Sequence, residues 1–97
     1  MDLKDYWTHI WGNNDTKDLL WDTNCPDIHL TTWLREQSTL PKHALEIGCG
    51  TGDNAIWMSQ QGISVVAIDI ADPAIQLAKQ KIKNYNVPVL AQVANIL

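Results

Sequence analysis

The segment Gly48-Cys49-Gly50-Thr51-Gly52 places three glycines at alternate positions. Glycines so spaced let the backbone turn tightly and let a ligand lie close against it. The loop follows a short apolar run, Ala44-Leu45-Glu46-Ile47, and precedes an amphipathic stretch that begins at Asp53. A strand's carboxyl end turning into a helix start is where open α/β sheets bind their ligands. The unbonded N–H groups of that helix's first turn can receive a carboxylate or a phosphate. A second chemical group, Asp69, closes the next apolar run, Ser64-Val65-Val66-Ala67-Ile68. An acid at a strand end can accept both hydroxyls of a ribose. Glycine loop and strand-end acid together point to an adenosine-containing cofactor.

The spacing discriminates among such cofactors. A dinucleotide fingerprint, G-x-G-x-x-G, counted from Gly48 and Gly50 needs a third glycine where Asp53 stands; counted from Gly50 and Gly52 it meets Ala55, a replacement some dinucleotide folds accept. An acid at the helix start repels a pyrophosphate more than a zwitterionic amino-acid tail. The G-x-G-x-G spacing preceded by Glu46 favours S-adenosylmethionine, whose sulfonium and amino groups are cationic.

The flanking elements follow from periodicity. Lys4 to Trp11 reads as a short helix with Tyr6, Trp7, Ile10 and Trp11 towards one side, ended by Gly12-Asn13-Asn14-Asp15. Leu19 to Pro26 is a loop carrying Trp21, and Asp27 to Gln37 a second helix. Ala44 to Ile47 is a strand, Asp53 to Gln61 a helix stopped by Gly62, and Ser64 to Ile68 a second strand. Asp72 caps the next helix with Pro73 in its first position, and Ile75, Ala78 and Ile82 recur at helical spacing. Val87 to Val93 reads as a third strand. Continuous apolar strands alternating with amphipathic helices imply an α/β fold. It is a Rossmann-like parallel sheet, partial at about three strands, with right-handed crossovers and an N-terminal helical cap. The cap is assigned to residues 1–43, which hold four of the five tryptophans, and the cofactor-binding half-domain to residues 44–97.

At this point the chain resembles a known family. Leu45-Glu46-Ile47-Gly48-Cys49-Gly50-Thr51-Gly52 is similar to motif I of class I S-adenosylmethionine-dependent methyltransferases. Val65-Val66-Ala67-Ile68-Asp69-Ile70 is similar to the motif after it, and Ala74-Ile75 with Ala78-Lys79 to the helix that follows. Trp21-Asp22-Thr23-Asn24-Cys25-Pro26 resembles the Trp-Asp…Pro segment of small-molecule methyltransferases related to the thiopurine and tellurite-resistance types. The resemblance implies a cofactor pocket in which Gly48, Cys49, Gly50 and Gly52 shape the methionine side. Glu46 would steady the loop or the amino group, Asp69 hold the ribose, Ile70 pack near the adenine and Trp21 close over the cofactor. The family places a further acid after the third strand, where this chain has Gln92-Val93-Ala94-Asn95.

Each group has a plainer reading that stays open. Asp69 could be a helix cap, Glu46 a purely structural acceptor, Trp21 a packed aromatic. Cys49 is a small loop residue rather than a nucleophile, and the catalytic residues are not specified. His9, His29 and His43 lack ligand spacing, so no metal is expected.

Composition limits the rest. The chain has 97 residues, enough for one domain, and 45% are apolar. A formal net charge of -4 with Arg35 as the single Arg argues against a nucleic-acid partner. Lys79, Lys81 and Lys83 suit a helix C-terminus. Two cysteines without metal-type spacing fit reduced thiols in a cytoplasmic protein, and no stretch approaches a membrane span. The family resemblance implies a larger sheet with the first strand at its centre. The expectation is therefore a truncated chain, inactive alone, whose exposed first strand pairs in a homodimer. If completed, it would methylate a small molecule; the alternative is a non-catalytic binding or assembly module that keeps the fold.

Overall fold

The computed structural model describes residues 3–13 and 25–95. Its elements are α1 (Leu3–Asn13), α2 (Ile28–Arg35), β1 (His43–Ile47), α3 (Asp53–Gln60), β2 (Ser64–Asp69), α4 (Asp72–Tyr85) and β3 (Leu90–Val93). The three strands form one parallel sheet in the order β1-β2-β3, with Leu45 opposite Val66 and Val66 opposite Leu90. The expected α/β class and the parallel pairing of three strands are present, and two helices, α1 and α2, precede the sheet.

Because the strands follow one another in space as in sequence, right-handed crossovers put α3 and α4 on the same face. That face holds the core. Val65, Ala67 and Val89 pack with Ala55 and Met58 of α3 and with Leu34 of α2, while Ile75 and Ala78 of α4 pack on Ala91. Small residues at 55, 67, 74, 78 and 91 let helix and strand backbones approach closely. Trp7 of α1 packs on Ala71 and Ala74, at the start of α4.

Local chemistry moves some boundaries. Ala71, not Asp72, is the N-cap of α4 and contributes no side-chain bond; Asp72 lies in the first turn. The capping is done from outside, since the Asp69 carboxylate accepts the Ala71 N–H at 2.9 Å. At the other end, the N–H groups of Asn86 and Val87 donate to Lys83 and Ile82 with Asn86 at φ +53°, a Schellman closure. Val87 is thus spent on ending the helix and Pro88 has no N–H to give, so β3 starts at Leu90 rather than at Val87. Gly62, at φ +92°, closes α3 in the same way. Asp27 caps α2 by accepting the His29 N–H at 2.7 Å.

Candidate functional site

The turn from β1 into α3 is held from below, from the side and from behind. The Cys49 N–H donates to the Ile68 carbonyl, which carries the β1–β2 ladder past the end of β1, and the Gly52 N–H closes a turn onto the Cys49 carbonyl. Gly48, Gly50 and Gly52 all adopt left-handed φ, +71°, +55° and +87°. At Gly52 a second constraint applies: a Cβ there would stand 3.4 Å from the Ala78 Cβ, so α4 also packs against the loop. At Gly48 an added Cβ would meet nothing within 4 Å.

Asp69 is the knot of the arrangement. One carboxylate oxygen accepts the Gly50 N–H at 2.9 Å, the other accepts Ala71, and its carbonyl accepts the Ala94 N–H at 3.0 Å. A buried acid at 8% exposure thereby ties the ends of all three strands. The capping reading and the ligand reading of Asp69 are compatible, because each oxygen keeps a second lone pair for a hydroxyl donor.

Glu46 lies beneath the loop on the helix-covered face, where burial pushes its carboxyl up to about 7, opposed by a hydrogen bond from Asn54 and reinforced by the charges of Asp53 and Asp69. Its Oε1 is buried without a hydrogen-bond partner. Asn54 also accepts the Asp27 N–H at 2.7 Å, so Glu46, Asn54 and Asp27 connect β1, α3 and the cap. Cys49 packs against the core clusters of α3 and α4, its thiol donates to the Gly50 carbonyl at 3.5 Å, and burial pushes its pKa up to about 12. A thiol so protonated is no nucleophile at neutral pH.

Above these residues opens a cavity of about 960 Å³. Gly48 to Thr51, Asp53 and Asn54 form one wall, Ile68, Asp69 and Ile70 with Ala94 and Asn95 a second, and Leu3, Trp7 and residues 25–29 of the cap a third. Of the residues singled out in the sequence, Gly48, Cys49, Gly50, Asp69 and Ile70 line it; Gly52 and Glu46 support it from outside, and Trp21 lies outside the described residues. The sequence reading missed Asn54 and Lys81. Lys81 donates to Thr51 Oγ1 at 2.8 Å and to Asp53 Oδ1 at 3.1 Å. It therefore serves the loop, and of the three lysines only Lys83 lies in the last turn of α4. The pairing also offsets the Asp53 charge, which removes part of the electrostatic case against a pyrophosphate and leaves that case on glycine spacing. Among the described residues no group of three or more His, Cys, Asp or Glu could hold a metal ion, and no helix is long and apolar enough to cross a membrane.

The cavity suits an adenosine-containing ligand: an open cradle at Gly48, a buried carboxylate with lone pairs to spare, and apolar Ile68 and Ile70 beside it. Comparison with known proteins agrees. The family model described as a methyltransferase domain matches residues 44–97. Ribosomal protein L11 methyltransferase of Thermotoga maritima is 35% identical over 69 residues, covering 70% of this chain and 25% of that protein. The chain thus spans about a quarter of the length of the curated relatives it matches. A solved structure from work on the conversion of a disulfide bond into a thioacetal group during echinomycin biosynthesis superposes with a TM-score of 0.87. It covers 97% of this chain and 40% of that one at 22% identity, a likeness of fold. The tRNA (uracil-54, C5)-methyltransferase of Pyrococcus abyssi, solved with S-adenosyl-L-homocysteine, gives 0.59 at 25% identity over 70% of this chain and 17% of that one.

Proposed function

We propose, from the premise that this chain belongs to the class I S-adenosylmethionine-dependent methyltransferase domain family, that it forms the cofactor-binding part of an enzyme that methylates a small molecule. The observation that carries this is the junction of glycine loop and Asp69 at the floor of the cavity. Gly48 to Gly52 would receive the methionine portion, Asp69 the ribose hydroxyls, and Ile70 with Asn95 the adenine. Bound there, S-adenosylmethionine supplies a methyl group on a positively charged sulfur. The protein's contribution is to orient that ligand and keep water from it. Glu46 acts under the loop, where its buried, unpartnered oxygen can accept from a proton donor, either a loop group or the ligand's amino group.

The relatives named above act on a ribosomal protein and on tRNA by their names. A small acceptor is favoured here because a net charge of -4 disfavours a nucleic-acid backbone and because Trp21-Asp22-Thr23-Asn24-Cys25-Pro26 resembles a segment of small-molecule methyltransferases. Two cysteines that form no disulfide with each other fit a cytoplasmic setting. Methyl transfer also requires an acceptor aligned with the sulfonium, and the described residues form the cofactor side of that geometry. The 97-residue chain alone should therefore bind the cofactor weakly and turn over nothing; micromolar binding or methylation of any acceptor overturns this. Titration followed by amide-resolved NMR, comparing S-adenosylhomocysteine with NAD, tests the cofactor class. Shifts around Gly48–Gly52 and Asp69 with the former alone support it, and a response to NAD alone overturns it.

Association follows from the open side of the sheet. β1 is an edge among the described strands, and Leu45 and Ile47 are 59% and 57% exposed. Pairing of two copies through this strand is the proposed state, and a stable monomer in gel filtration across a wide concentration range would sink it.

A further inference from the structure

Lys81 stands far from the loop in sequence, yet its ammonium spans the loop's last turn, bonding Thr51 on one side of Gly52 and Asp53 on the other. The contact is well enclosed: Thr51 is 3% exposed, and the side chains of Lys81 and Asp53 are 20% and 19% exposed. Ala78, which presses on Gly52, lies one turn before Lys81 on the same face of α4. Helix α4 thus grips the loop at two levels, by close packing and by a charged clamp. Thr51 and Asp53 line the cavity, whereas Lys81, bonded to both, does not. No side chain caps α3, because its N-cap is Gly52, and Asp53 brings a negative charge into its first turn. Left alone, that charge would oppose a ligand's anionic group at the start of α3.

We infer that Lys81 is a positioning residue for the amino-acid end of the cofactor: it fixes the Thr51–Asp53 turn and neutralises Asp53, so that the start of α3 can receive the ligand's carboxylate. The inference rests on the cofactor reading above and adds a residue outside both glycine loop and strand-end acid. It makes affinity for the amino-acid portion depend on a side chain that does not touch the ligand.

The test compares two ligands by amide-resolved NMR at ligand concentrations high enough for weak binding. S-adenosylhomocysteine carries the amino-acid carboxylate; methylthioadenosine lacks it. Lys81→Met should weaken the first by about tenfold and leave the second within about twofold, and Lys81→Arg should restore most of the loss. A lysine that merely stabilised the fold would move both ligands together. Equal losses in a folded variant, or no loss for either, overturn the inference. Should Lys81→Met not fold, Lys81→Gln, which keeps a hydrogen-bond donor, takes its place with the same expected split. If the unsubstituted chain responds to neither ligand, the cofactor reading fails, and the clamp is judged by amide exchange. The Gly52 and Ile56 N–H groups, both bonded within this turn, should exchange about tenfold faster in Lys81→Met while those of β2 stay unchanged. Unchanged exchange at Gly52 and Ile56 then overturns the positioning role as well.

Discussion

The two faces of the sheet are built from the same strands and share one register, but they meet different surroundings. On the face towards α3 and α4, Val65, Ala67 and Ala91 are 3%, 0% and 5% exposed. On the other, the cross-strand row Leu45, Val66 and Leu90 is 59%, 37% and 58% exposed. Residue type does not explain the contrast, since the larger apolar side chains are on the open face. Connectivity explains it: two crossovers of the same hand, taken in the same direction across the sheet, send both helices to one side. Covered and open faces therefore differ in what holds them together, and mutation should separate them.

The largest difference is expected from truncations. Ile75, fully buried between α4 and β3, should cost about 2–5 kcal/mol when changed to Ala, whereas Leu90→Ala on the open face should cost less than about 1 kcal/mol. Chemical denaturation of the two variants checks this, and similar losses would show that the open face is covered in solution. A smaller effect concerns Glu46, the one acid on the covered face of β1. Its carboxyl is pushed up to about 7 by burial, so the folded state holds a proton that the unfolded chain releases near its ordinary value. Stability from this group is present at low pH and lost as pH rises from about 4.5 to about 7. Glu46→Gln should therefore be more stable than the parent above that window, by up to about 3 kcal/mol, and should flatten the dependence within it. Denaturation midpoints across that range measure the effect, and an unchanged slope would show that Glu46 is solvated. The least demanding comparison uses the two thiols: iodoacetamide at mildly alkaline pH should label exposed Cys25 and spare Cys49, with mass spectrometry reading the sites. Labelling of Cys49 at a similar rate would mean that the covered face opens readily.

How much of this the sequence contained depends on the range of the interactions. Strand and helix identities were legible because periodicity and glycine placement are local signals, and each element was found within a few residues. Boundaries slipped where a flanking residue intervened: Asp69, two residues before Ala71, accepts its N–H and so supplies the cap, and Pro88 delays β3. Gly48 to Gly52 and Asp69 were legible as a cofactor signature. Invisible was how they are held, because Lys81 with Asp53 and Asn54 with Asp27 are pairs whose members lie far apart along the chain. A lysine among lysines near a helix end has no local mark that distinguishes it from a solvated charge. Glu46 had two readings, support of the loop and contact with the ligand, and its place under the loop beside Asn54 is compatible with both.

The strand order also bears on synthesis. Among the described strands each pairs with the one made before it, so each crossover closes on a surface already in place. Loop-closure entropy stays low, and the sheet can grow in step with translation, gaining stability with each added strand-helix unit. As it grows, each added strand extends the open row begun by Leu45, through Val66 to Leu90, as well as the covered core.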